Sequence, residues 1–106
     1  MNAAQDKRKY RRQPVMCQSI FSFGVVRGEE GTVCDLSAEG CRIAASAAIA
    51  PDTTIELQIR PRTSPSIFVS SAVVRWAGES AFGVQFTAMA AHESNNLSRL
   101  LAAAAL

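Results

Sequence analysis

Two short stretches hold the side chains best suited to chemistry. "RKYRRQPV", residues 8–15, packs Arg8, Lys9, Arg11 and Arg12 into five positions, four of the chain's eleven cations. "VCDLSAEGCRI", residues 33–43, sets Asp35, Ser37 and Gly40 within six positions between two apolar runs. The first stretch is equipped to capture an anion. Residues 1–12 carry five cations against Asp6 alone, a net of +4, whereas the rest of the chain has six cations and eight anions, a net of −2. The positive field is therefore local. The second stretch has the ingredients of a tight turn: Asp35 and Ser37 can accept from nearby backbone N–H groups, and Gly40 can take positive φ. Taken alone, each has a plain structural reading, a solvated terminus for one and a hairpin turn for the other.

Something must hold these stretches in place. A chain of 106 residues, 48% hydrophobic and 19% charged, suits one small domain with one core. No run approaches the roughly 20 apolar residues needed to span a bilayer. The start is polar instead of showing the apolar stretch of a secretory signal, so a cytosolic protein is expected. Cys17, Cys34 and Cys41 are an odd number with no C-x-x-C pair, which favours reduced, mostly buried thiols over a disulfide framework or a zinc cluster.

The run from Val15 to Val26 is apolar, β-branched or aromatic with scattered serines, and the spacing predicts a turn at "RGEEG", bracketed by Gly28 and Gly31. "TIELQIR", residues 54–60, alternates cleanly, with Ile55, Leu57 and Ile59 on one face and Glu56, Gln58 and Arg60 on the other. "PRTSPS" interrupts with Pro61 and Pro65 and reads as a loop. "IFVSSAVVRW" resumes strand composition, and "AFGVQF" puts Phe82, Val84 and Phe86 on one side. Short strands separated by turns favour a sandwich or a small barrel. From about Met89 to Leu101 the apolar residues recur at helical spacing, which predicts a terminal helix running into alanines.

Arg8 and Arg12 are spaced R-x-x-x-R; Asp35, Ser37 and Gly40 are spaced D-x-S-x-x-G; twenty-two residues separate the groups, and "VVRW…FGVQF" follows. In order and spacing the chain resembles the PilZ domain, a bacterial receptor module for cyclic di-GMP, from about Lys7 to the C-terminal helix. The resemblance implies a mainly β fold: a six-stranded antiparallel barrel with a C-terminal α-helix. A flexible basic arm over residues 1–14 would precede a barrel over residues 15–106. It also implies a ligand with two anionic phosphates and two guanines, both suited to guanidinium forks. Arg8 and Arg12 are expected to clamp guanine and phosphate. Asp35 is expected to meet a guanine or orient an arginine, and Ser37 with Gly40 to shape the phosphate-facing turn. Lys7, Arg11 and Trp76 are expected as secondary ligand contacts. Lys7 stands where related domains often carry another arginine. Trp76 offers a stacking face, although a lone tryptophan in a small barrel is more often core. No cofactor is expected besides the ligand, and a downstream effector protein would carry the response.

Three other functions compete. A PilZ-like module that binds only protein is the nearest alternative, and the five signature positions argue against it. A nucleic-acid-binding barrel would explain a basic arm, but the charge sits at one end and there is no stacking array on a basic strand face. An enzyme is disfavoured: His92 lies in helical "AHESNN", and no G-x-S-x-G, P-loop or H-E-x-x-H occurs. Neither a membrane nor nucleic acid is an expected partner.

Overall fold

The computed structural model describes residues 12–104. Six strands and one helix follow in order: β1 (Gln13–Phe23), β2 (Val26–Leu36), β3 (Gly40–Ala44), β4 (Thr54–Arg60), β5 (Ile67–Ala77), β6 (Ala81–Ala88) and α1 (Ala91–Ala104). All pairings are antiparallel, and the sheet closes as β1-β2-β3-β6-β5-β4. Closure removes the free edges that an open sheet would leave. The barrel and its terminal helix are those the resemblance implied.

The alternating run in β4 behaves as its period requires. Ile55, Leu57 and Ile59 are buried, while Glu56, Gln58 and Arg60 face outward. Phe21 and Phe82 meet edge to face in the interior with ring centroids 5.2 Å apart, the favoured geometry for aromatic quadrupoles. Val33, Leu36, Cys41, Ile43, Val69 and Val74 complete much of the core. Leu97 is the buried anchor of α1, and Leu100 and Leu101 pack beside it. Glu93, in the first turn of α1, accepts from the Phe68 backbone N–H at 2.9 Å and so ties the helix to β5.

The first turn departs from expectation. "RGEEG" is not a turn but part of β2; the chain reverses at Gly24–Val25, between the paired Phe23 and Val26. Gly24 has φ of 54° and Val25 does not have positive φ, the sign pattern of a II′ hairpin. Gly28, at φ 69°, lies where the β1–β2 register shifts and donates its N–H to Ser22 Oγ at 3.0 Å. The second glycine signal therefore marks a bulge instead of a reversal. The strand also begins at Gln13, so Gln13 and Pro14 of the expected arm segment are strand residues.

Candidate functional site

Strand alternation alone would bury Asp35, two residues beyond the buried Val33. A register shift prevents this: Val33 pairs with Ile43 and Asp35 with Arg42, leaving Cys34 as an extra residue in β2. The bulge turns Asp35 outward, while Leu36 returns to the core. The same device acts on β5. Val74 pairs with Val84 and Trp76 with Gly83, so Arg75 is extra and Trp76 leaves the interior. Trp76 is 43% exposed, which leaves the stacking face of a secondary contact outside: period 2 alone would bury it, and the bulge reverses that.

Because β1 pairs with β2 as far as Gln13↔Leu36, Arg12 arrives beside Asp35 although 23 residues separate them in sequence. Arg12 Nη1 donates to Asp35 Oδ1 at 2.7 Å, and Arg42 Nε donates to Oδ2 at 3.1 Å. Each carboxylate oxygen thus serves one guanidinium. Partial burial pushes the Asp35 carboxyl pKa up, but the hydrogen bonds and charges of Arg12 and Arg42 more than offset this and hold it below its ordinary value. The cluster of two cations and one anion keeps a net positive charge. Arg12 Nε is buried and has no acceptor among the described residues.

Ser37 and Gly40 do different work from Asp35. Ser37 is buried; its N–H donates to the Gly40 carbonyl at 2.9 Å, and its Oγ accepts from the Glu39 N–H at 3.2 Å. The Glu39 carbonyl in turn accepts from the Phe86 N–H at 2.8 Å, which clips the turn to β6. Gly40 does not take positive φ, as the turn reading expected. It is needed because a Cβ there would run into the Val84 carbonyl oxygen. Asp35 departs only from the plain turn reading: its acceptors are filled by arginines, a partner the resemblance allowed for, and not by backbone amides of the turn.

Beyond this turn, the indole of Trp76 lies across Gly83, where a Cβ would collide with Nε1. A concavity of about 170 Å³ opens between Arg12, Glu39, Gly40, Arg75, Trp76 and Gln85. Arg75 Nε donates to Gln85 Oε1 at 2.8 Å along one wall. Two larger hollows, about 400 and 430 Å³, share Gln18, Thr32 and Arg60. Neither has an aromatic face, and neither is lined by Arg12, so size alone does not mark the site.

The structure therefore brings together Arg12, Asp35, Ser37, Gly40 and Trp76. Lys7, Arg8 and Arg11 lie outside the described residues. Arg42, Arg75, Gly83 and Gln85 were not singled out from the sequence. Arg42 alone left a usable signal, as a cation in the otherwise apolar "GCRI" seven residues after Asp35, where a short hairpin makes the two cross-strand neighbours. The thiols are free; burial pushes the pKa of Cys17 and, far more, of Cys41 upward, which disfavours the reactive thiolate. Among the described residues no cluster of His, Cys, Asp or Glu is arranged to hold a metal ion, and no helix is long and apolar enough to cross a membrane.

The family model described as PilZ domain matches residues 6–103. The chain belongs to the PilZ domain family. PilZ domains are in general binding and adaptor modules for cyclic di-GMP. Solved structures of other proteins share the fold, among them the following two. The Bacillus subtilis inhibitor of motility, MotI/DgrA, is similar with TM-score 0.78 and 16% identity over 92% of this chain and 51% of that one. The chain thus spans about half the length of that relative. The PilZ domain of CeSA from a cellulose-synthesizing bacterium is similar with TM-score 0.69 and 17% identity, covering 88% of this chain and 96% of that one. No curated protein sequence matches the chain.

Proposed function

We propose that this PilZ domain is a bacterial, cytoplasmic receptor for cyclic di-GMP that closes its N-terminal segment around the ligand and signals to a partner protein. The observation that carries the reading is the meeting of Arg12 and Asp35 at 2.7 Å, next to an outward-facing tryptophan. A guanidinium supplies donors to phosphate or to the guanine Hoogsteen edge, and the carboxylate fixes where that guanidinium points. Trp76 offers a face for a base, a contact worth about 1–3 kcal/mol.

The size of the concavity supports the closing step. About 170 Å³ is well short of the roughly 300–1,000 Å³ of pockets that enclose a small molecule, so the described residues supply one wall. Lys7, Arg8 and Arg11 lie immediately upstream of Arg12 and have the charge to supply the other. Ordering such a segment costs about 1–2 kcal/mol per residue, which fits a receptor of about micromolar affinity. The closed segment is a surface that exists only with ligand bound, and that difference is what a partner would read. Motility and cellulose synthesis are the outputs that the two relatives suggest for it.

Isothermal titration tests the reading. Cyclic di-GMP should give saturable heat with the wild type, GTP should give none, and Arg12→Ala should weaken binding by at least about tenfold, the loss of one charge-assisted contact. No heat from folded wild-type protein at high ligand concentration would sink the proposal and leave a module that recognises protein only.

A further inference from the structure

Arg42 is a residue whose function the signature motifs leave open. It is bonded to Asp35, yet neither Arg42 nor Asp35 lines the concavity, whereas Arg12 does. An arginine beside a lone carboxylate forms a two-bond fork with both oxygens when it can, because the two planar groups match. Here Arg12 does not: it reaches only Oδ1, through Nη1, while Arg42 Nε holds Oδ2 at 3.1 Å. The remaining donors of Arg12 are therefore not spent on Asp35, and its Nε stays without an acceptor among the described residues.

Resting on the proposed receptor reading, we infer that Arg42 is a positioning residue that blocks a self-inhibitory fork between Arg12 and Asp35 and thereby keeps Arg12 available to an anionic nucleotide. Arg42 fills one oxygen of Asp35 and leaves the other to aim Arg12. The role needs no contact between Arg42 and the ligand. Its signature is that the effect of Arg42 passes entirely through the Asp35 carboxylate.

A double-mutant cycle read by titration with cyclic di-GMP tests this. Arg42→Met should weaken binding about tenfold, the equivalent of one charge-assisted hydrogen bond. Arg42→Lys, which can still occupy Oδ2 with one donor, should bind within about twofold of wild type. In an Asp35→Asn background, Arg42→Met should cause no further loss, because no carboxylate remains to be released. Equal losses from Arg42→Met in both backgrounds would show direct ligand contact or plain charge loss and overturn the inference. So would unchanged binding by Arg42→Met. These failures differ from that of the receptor reading, in which the wild type itself does not bind. An arm free of ligand is the ¹⁵N signal of Arg12 Nε, which should move in Arg42→Met as the fork forms; an unmoved signal in the folded variant overturns the geometry. Arg42 is 42% exposed, so the variants should fold, which circular dichroism checks.

Discussion

The two connections at opposite ends of β2 are built on different physics. At Gly24–Val25 the chain reverses by backbone freedom: Gly24 has positive φ, open space surrounds it, and Val25 is 97% exposed. At Ser37–Glu39 no residue has positive φ; a buried serine closes the turn, and Gly40 lets β3 press against β6. The first connection is a free tip. The second is packed from below, and on its outer side it holds Asp35 between two arginines. A connection built in this way can hold a charged group in fixed geometry, because its backbone is secured by bonds in which that group takes no part.

Substitutions at the two ends should break this contrast in a graded way. Gly40→Ala drives a methyl group into the Val84 carbonyl and should destabilise the fold by about 3 kcal/mol, read as the drop in urea midpoint at constant slope. Gly24→Ala meets no atoms and has only the positive φ to overcome, so it should cost about 1–2 kcal/mol. Equal losses would mean that both turns depend on conformational freedom alone. Ser37→Ala removes the Oγ acceptor from the Glu39 amide and should cost about 1 kcal/mol, with faster hydrogen exchange at that amide.

The pH dependence should be the smallest signal, and in acid it should be read at Asp35. Asp35 has a folded pKa below its unfolded value. Its contribution is therefore full above the unfolded carboxylate range, near pH 4, and disappears as pH falls through the lower folded value. Between those limits wild-type stability should fall more steeply with acid than that of Asp35→Asn. Parallel pH profiles would show that Asp35 gains nothing from its two arginines. The free hairpin has no such group, and Gly24→Ala should leave the pH profile unchanged in shape.

The contrast also explains what could be read from the sequence. The strands with strict alternation were legible, β4 above all, because a period of 2 and a buried face are the same fact. The D-x-S-x-x-G spacing marked the right turn. It did not reveal that Ser37 faces inward and Asp35 outward, or that Gly40 serves close packing. The bulges were illegible, since an extra residue in one strand is defined by the partner strand, which local sequence does not name. That is why period 2 alone would place Trp76 in the core, and why the Gly28 signal reads as a turn. Arg42 was missed for a related reason: its importance comes from cross-strand register with Asp35.

The central claim is that the ligand binds at the Asp35 end of β2 and not at the hairpin end. Amide and indole NMR shifts on adding cyclic di-GMP test it most directly. The account predicts saturable shifts at Ser37–Arg42, at the Trp76 indole N–H and at Arg12 Nε, with Gly24–Gly28 unmoved. Shifts centred on the hairpin or on the hollow around Gln18 and Arg60, with the Trp76 indole still, would contradict it.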